Sequence, residues 1–210
     1  PSPGNRRSGE PNQWQAPDWA FEGCDLSPDE SNPVKRYRAV VYALDHALGR
    51  VLDCLKDCGV EEETFVFFMS DNGSFRLGRE GIDVGINDPL RAGGVTCWEG
   101  GLRVAAMARF PGKIEAGVTI DDPLWSLDLM VGCAKLAQVP LPVEIEIDGV
   151  DPMPVLFGKS QSADRSFVFE YKNHAALRMK NWKIVREAPS DPWQLYDLGR
   201  DLKEKRNLAE

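Results

Sequence analysis

The sequence predicts an α/β fold that ends in a small antiparallel sheet. Three observations support this prediction. An amphipathic helical pattern begins at Pro33, a short apolar run follows at residues 64–69, and strand-like segments fill the last part of the chain. A helix that leads through a short loop into a buried strand is typical of parallel α/β sheets. Short strands separated by tight turns are typical of antiparallel sheets.

The first regular element is a long helix. Apolar residues recur at steps of three and four from Tyr37 to Leu55, which places them on one helix face. Gly59 then supplies a C-terminal stop. Residues 1–33 are rich in Pro, Gly, Ser, Asn and charge, and are therefore predicted to be irregular. The predicted division of the chain is an irregular segment at 1–33, an α/β portion at 34–150 and a small antiparallel subdomain at 151–210.

The run TFVFFM at residues 64–69 predicts a strand buried on both faces of a parallel sheet. In such sheets ligands bind just beyond the carboxyl ends of the strands, and Asp71 and Asn72 follow at that position. Carboxylate and amide oxygens suit Ca²⁺ or Mg²⁺. Asp-Asn-Gly is also a common turn sequence, because its side chains bond locally to the backbone. From these residues alone, a metal site and a plain turn both remain open.

The segment after this strand is glycine-rich from Gly73 to Gly101 and predicts a long loop. Within it, Glu99 is expected to brace the loop through backbone hydrogen bonds rather than to act as a general base. A strand is predicted at 102–110, and a helix with Ser126 as N-cap at 126–137. Four strands are predicted at 166–171, 175–179, 182–187 and 193–198, with a tight hairpin turn at Lys180-Asn181.

Composition excludes some classes of function. The net charge of −8 argues against nucleic acid as a main partner, because phosphate binding requires a basic face. No apolar run reaches the roughly eighteen residues of a membrane span.

The five cysteines have no metal-site spacing and are predicted to be small buried residues. Trp182 and Trp193 are predicted to pack in the core of the small sheet. The chain opens Pro1-Ser2-Pro3 without an initiator Met, so it is expected to be processed or to be a piece of a longer polypeptide.

Several motifs occur in the order in which they occur in the sulfatases, members of the alkaline-phosphatase-like superfamily. They are TFVFFMSDNGS, PLRAGGVTCWEGGLRVAAMARFPGKI, ALRMKNWKIV and LYDLGRDLKEKRNLAE. From residue 36 to residue 210 the chain resembles the C-terminal part of arylsulfatases and N-acetylgalactosamine-6-sulfatases. The resemblance implies the C-terminal half of an alkaline-phosphatase-like mixed sheet flanked by helices, followed by a small antiparallel subdomain.

The resemblance also implies chemistry. Sulfatases hydrolyse a sulfate ester with a formylglycine hydrate as nucleophile and one divalent cation, usually Ca²⁺. By resemblance Asp71 and Asn72 are two ligands of that cation, and Gly94 occupies the position of a lysine that contacts the sulfate. The resemblance implies a sulfated carbohydrate or an aryl sulfate ester as substrate, and an extracytoplasmic location, either periplasmic, secreted or lysosomal.

The nucleophile motif of the family, Cys/Ser-x-Pro-x-Arg, is not found. No cysteine is followed by proline two residues on, and Ser31-Asn32-Pro33-Val34-Lys35 ends in lysine and lies just before the helix rather than far upstream. The 210 residues alone are therefore expected to be inactive, as a fragment whose formylglycine belongs to a missing N-terminal portion. Two alternatives remain: a related phosphoester or phosphonate ester hydrolase, and a non-catalytic remnant that binds a sulfated glycan or a partner, which Gly94 favours.

Overall fold

A computed structural model describes residues 14–78, 83–162 and 164–209. Residues 1–13 of the predicted irregular segment and residues 79–82 of the predicted loop lie outside the described residues. A 3₁₀ turn covers Glu61–Glu63. The helices are α1 (Asp18–Glu22), α2 (Pro33–Asp57), α3 (Glu99–Leu102), α4 (Ser126–Leu136) and α5 (Met153–Leu156), and the strands are β1 (Val66–Met69), β2 (Ala106–Arg109), β3 (Ser166–Tyr171), β4 (His174–Met179), β5 (Trp182–Arg186) and β6 (Gln194–Asp197).

Helix α2 confirms the long amphipathic helix that the sequence predicts from Pro33 onward. Asn32 caps its N-terminus, because its side-chain oxygen accepts hydrogen bonds from the backbone N–H groups of Val34 (3.0 Å) and Lys35 (3.2 Å). Proline is tolerated at the first helical position, where no partner for its nitrogen is needed. Gly59, just beyond the C-cap, has a φ of +68°, a left-handed conformation that glycine adopts without steric cost.

Strands β1 and β2 pair in an antiparallel manner, with Val66 opposite Arg109 and Met69 opposite Ala106. The predicted parallel arrangement is therefore wrong for this pair. A parallel neighbour requires a crossover connection, usually a helix. Between β1 and β2, the described residues form no helix other than the four-residue α3, and the chain direction reverses. The residues of β1 are half-buried rather than buried on both faces, since β2 is its one strand neighbour among the described residues.

The four-stranded sheet at the C-terminus confirms the predicted antiparallel strands. Its strands pair in chain order, β3-β4-β5-β6, and Lys180 has a φ of +53° in the tight turn between β4 and β5. Its buried cluster includes two residues of the glycine-rich segment, so the sheet and this segment share one core. The members of this core are Cys97, Trp98, Ala176, Val185, Tyr196 and Leu198.

Two side-chain predictions about this subdomain are wrong. Trp182 is 48% exposed and Trp193 is 40% exposed, so neither lies in the core of the sheet. Side chains alternate between the two faces of a strand. Because Lys183 and Val185 point into the interior, Trp182 on the same strand points outward.

The start of α4 also differs from the prediction. Ser126 is the first helical residue and not the N-cap, which is Trp125. The carboxylate of Asp128 reaches back and accepts a hydrogen bond from the backbone N–H of Trp125 (3.1 Å). It accepts further bonds from the backbone N–H of Val150 (3.0 Å) and from Nη1 of Arg165 (2.7 Å). Asp128 thus connects α4 to two later segments.

The apolar face of α2 remains largely exposed in this chain. Val41 is 45% exposed, Leu44 51% and Val51 53%. Helix α1 packs on another face of α2, where the ring of Trp19 lies 4.8 Å from the ring of His46.

The prediction that the cysteines are buried is correct only in part. Cys24 and Cys97 are buried, whereas Cys54, Cys58 and Cys133 are exposed. Within the described ranges, no helix combines the length and apolarity that crossing a membrane would require.

Candidate functional site

Asp71 and Asn72 lie directly beyond the carboxyl end of β1. Ser70 anchors this turn, because its N–H donates to the carbonyl oxygen of Ala105 (3.1 Å) and its hydroxyl donates to the carbonyl oxygen of Asn72 (2.8 Å). The carboxylate of Asp71 accepts a bond from the N–H of Asn72 (2.9 Å). Asp71 is exposed and Asn72 is half-buried. The structure therefore presents one accessible carboxylate and one amide side chain at adjacent positions.

Gly94 lies against this turn. A methyl group added to Gly94 would lie 2.4 Å from the carbonyl oxygen of Gly73, 2.7 Å from Oδ1 of Asn72 and 2.8 Å from Cδ1 of Phe75. All three distances are shorter than a real Cβ tolerates. The structure thus brings together two positions that the sequence singled out, Asn72 and Gly94, but leaves no room for a side chain at the second.

The side chain of Asn87 connects the turn to the backbone near Gly94. Its side-chain oxygen accepts a bond from the N–H of Ser74 (2.9 Å), and its amide nitrogen donates to the carbonyl oxygens of Ser74 (2.8 Å) and Ala92 (2.9 Å). Gly94 completes the contact, since its N–H donates to the carbonyl oxygen of Ser74 (2.9 Å). Sequence reasoning missed Asn87, because an asparagine in a glycine-rich segment has no periodicity that marks it.

Arg91 does not replace the charge that Gly94 lacks. Its guanidinium group stacks on the ring of Trp98, 3.5 Å from the ring centroid. Nη1 donates to the hydroxyl of Tyr196 (3.1 Å) and to the carbonyl oxygen of Glu204 (2.9 Å). These contacts direct Arg91 toward the C-terminal segment and hold the glycine-rich segment on the sheet.

Glu99, Lys183 and Glu204 form a buried group that is called the charge cluster below. Nζ of Lys183 lies 3.0 Å from Oε1 of Glu99 and 2.7 Å from Oε1 of Glu204. The prediction that Glu99 braces the loop through backbone bonds is wrong for its carboxylate, which pairs with Lys183. Burial raises the pKa of the Glu204 carboxyl. The sequence could have indicated that Lys183 is buried, because strand alternation places it on the same inward-facing side of β5 as Val185.

The donor chemistry of Asp71 and Asn72 suits calcium, because both side chains offer hard oxygen atoms. Calcium takes about six to eight oxygen ligands, so these two residues can form only part of a site. In the part of the chain that the structure describes, no group of three His, Cys, Asp or Glu side chains could hold a metal ion. The residues present therefore fit calcium as a partial ligand set.

Two family models match the chain. A model described as "Sulfatase" matches residues 2–139, and one described as "N-sulphoglucosamine sulphohydrolase, C-terminal" matches residues 96–210. Human steryl-sulfatase is 38% identical over 149 residues, which covers 70% of this chain and 25% of that protein. Human arylsulfatase A is 41% identical over 194 residues, which covers 79% of this chain and 37% of that protein.

The structural comparison agrees with these matches. The crystal structure of Ps i-CgsB in complex with k-i-k-neocarrahexaose superposes with a TM-score of 0.80 and 28% identity, and the match covers 94% of this chain. It covers 43% of that protein. The chain thus spans well under half the length of each of these three relatives.

Proposed function

This chain belongs to the sulfatase family, and we propose that it supplies part of the calcium site of a sulfuric ester hydrolase. The observation that carries the proposal is the position of Asp71 and Asn72. They follow a sheet strand at its carboxyl end, where α/β folds bind their ligands, and they lie in a turn held by hydrogen bonds on both sides. Their oxygen donors match what calcium requires.

Within this proposal each residue has a defined role. Asp71 contributes a negative charge and carboxylate oxygens, and Asn72 contributes an uncharged oxygen beside it. Calcium, when bound, would neutralise the charge of a sulfate group and of the departing oxygen. Asn87 and the backbone of Gly94 keep the turn in place, so that the two donors need little reorganisation.

The chain does not supply the nucleophile under this proposal. The formylglycine precursor motif is not among its residues, and Gly94 provides no charge where the family has a lysine. The exposed apolar face of α2 supports the same interpretation, because a helix with such a face is usually covered by its own domain. We infer that the remaining part of the sulfatase α/β domain covers this face and brings the nucleophile and the other calcium ligands.

Sulfated carbohydrates and aryl sulfates are the proposed substrate classes. Support comes from the relatives, since one similar structure holds a bound oligosaccharide and another relative is named for aryl substrates. The acidic net charge of −8 requires that the sulfate be bound by local positive charge, and a cation at Asp71 and Asn72 would provide it.

A second candidate function is binding without catalysis, and Gly94 is the observation that favours it. The glycine removes a basic contact, and the crowding around it excludes any replacement in the present backbone conformation. Under this alternative the protein binds sulfated sugars through its other residues and does not hydrolyse them. Its affinity would fall when the sulfate groups of the sugar are removed.

Hydrolysis assays with an aryl sulfate and an aryl phosphate test the proposal. We expect no turnover by the 210 residues alone. The longest polypeptide translated from the same reading frame is expected to hydrolyse the sulfate ester faster than the phosphate ester, and Asp71→Ala is expected to abolish this activity. Asp121→Ala, which changes an exposed carboxylate outside the helices and strands, is the matched control and should retain it. Sulfate ester turnover that survives Asp71→Ala would refute the proposal.

A further inference from the structure

The charge cluster connects three segments that are far apart in the sequence. Glu99 belongs to α3, Lys183 to β5 and Glu204 to the C-terminal segment, and each side chain is at most 2% exposed. A buried charge is unfavourable unless it is paired and hydrogen-bonded. The two carboxylates and the ammonium group therefore stabilise one another only when all three segments keep their positions.

Glu204 holds the glycine-rich segment at two points. Its Oε2 accepts a hydrogen bond from the backbone N–H of Glu99 (2.8 Å). Its carbonyl oxygen accepts a bond from Nη1 of Arg91 (2.9 Å). Arg91 and Glu99 lie on either side of Gly94 in the sequence, so one residue of the C-terminal segment fixes both ends of the stretch that contains Gly94.

This stretch and the two glycines after it hold the turn of Asp71 and Asn72 through backbone hydrogen bonds. The N–H of Gly73 donates to the carbonyl oxygen of Gly101 (3.1 Å), and the N–H of Gly94 donates to the carbonyl oxygen of Ser74 (2.9 Å). A methyl group on Gly73 would lie 1.7 Å from the carbonyl oxygen of Gly100, which shows how closely the two backbones approach. The two backbones thus meet directly, and the side chain of Asn87 adds hydrogen bonds to Ser74 and Ala92.

We propose that Glu204 and Lys183 are positioning residues for the Asp71-Asn72 turn. They contribute no atom to the candidate site, yet they fix the backbone that places its two oxygen donors. A path of contacts runs from Lys183 through Glu204 to Glu99, and then through the backbone to Gly73. Only the last step, the binding of calcium by the turn, rests on the proposed function.

Hydrogen exchange of the backbone amides in the 210-residue chain, measured without calcium, tests this path. In Glu204→Ala we expect the amides of Gly73 and Gly94 to exchange at least about tenfold faster relative to the amides of β3, because the lost bond has a charged acceptor. Glu204→Gln keeps an oxygen that can accept from Glu99. It is therefore expected to restore most of the protection.

Val131→Ala is the matched control. Val131 is 5% exposed on α4, outside β3 and outside the core that the sheet shares with the glycine-rich segment. We expect this variant to leave the exchange of Gly73 and Gly94 unchanged relative to β3. The proposal is overturned if Glu204→Ala leaves this ratio unchanged, or if Val131→Ala raises it as much.

The failure of the proposed function would be recognised separately. The exchange experiment contains no calcium and no substrate, so its outcome depends only on the contacts of the charge cluster. The proposed function fails on a different result, namely sulfate ester hydrolysis that Asp71→Ala does not affect. Either proposal can thus be rejected while the other stands.

Discussion

Gly94 is a position at which a single methyl group should displace the candidate site. In Gly94→Ala the added carbon would meet the carbonyl oxygen of Gly73 at 2.4 Å and Oδ1 of Asn72 at 2.7 Å. The φ of Gly94 lies outside the left-handed region, so lack of space, and not backbone strain, determines the effect. The turn must move away, and the bond from Gly94 to Ser74 is weakened as it does so.

The magnitude follows from two contributions. Forcing an extra methyl group into a packed site costs about 1–3 kcal/mol. Loss of one backbone hydrogen bond adds about 0.5–1.5 kcal/mol. Urea unfolding of the 210-residue chain should therefore show a free energy of unfolding that is lower by about 1.5–4.5 kcal/mol. Gly94→Lys should be destabilised at least as much, so restoring the family lysine is not expected to restore a sulfate contact.

Gly49 provides the control. It lies inside α2, and a methyl group added there would meet no atom within 4 Å. Gly49→Ala should raise the free energy of unfolding by about 0.5–1 kcal/mol, because alanine loses less conformational freedom in a helix than glycine. The reasoning about Gly94 is refuted if Gly94→Ala unfolds within about 0.5 kcal/mol of the wild type.

Three further outcomes are expected. Lys183→Met should lower the free energy of unfolding by about 3–5 kcal/mol in urea, because it leaves the buried carboxylate of Glu204 without its cation and leaves Glu99 to Arg178, whose Nη1 lies 3.5 Å away. Since burial raises the pKa of Glu204, the stability from this group should fall as the pH rises from about 4.3 through the raised pKa, and Glu204→Gln should flatten that slope. Leu44→Lys should change the free energy of unfolding of the 210 residues by less than about 0.5 kcal/mol, because Leu44 is exposed there. In a longer polypeptide, where Leu44 is proposed to be covered, it should lower the free energy of unfolding by at least about 2 kcal/mol.

Each of these outcomes has a contradicting result. A Lys183→Met chain as stable as the wild type would show that the charge cluster is dispensable. An unchanged pH slope in Glu204→Gln would assign the titration to another group. Equal effects of Leu44→Lys in the short and the long polypeptide would mean that no further part of the domain covers the apolar face of α2.

The elements that sequence analysis predicted correctly are those with local signals. Helix α2 has a periodic apolar face, a cap at Asn32 and a stop at Gly59, and the hairpin between β4 and β5 has its turn at Lys180. The positions of Asp71 and Asn72 beyond β1 were predictable for the same reason, because the apolar run ends immediately before them. In each case residues within a few positions determine the outcome.

The features that sequence analysis missed depend on residues far apart in the chain. The pairing of β1 with β2 depends on how a long segment reverses. The charge cluster joins Glu99 to Lys183 and Glu204. The inward side of β5 marks Lys183 as buried, but no local pattern identifies its two partners. The burial of Gly94 against Asn72 depends on the same segment. Pairing across such distances is set by the tertiary fold, which propensity and periodicity do not encode.

The calcium affinity of the longest polypeptide from this reading frame tests the central claim most directly. Titration calorimetry would compare the wild type with Asp71→Ala and with the control Asp121→Ala. Loss of an outer-shell partner weakens metal binding by about 10–100-fold. Because Asp71 is proposed to contact the metal directly, we expect Asp71→Ala to weaken calcium binding by more than this. Asp121→Ala should leave calcium binding unchanged. Equal calcium affinity of the wild type and Asp71→Ala would contradict the claim that this turn holds the metal.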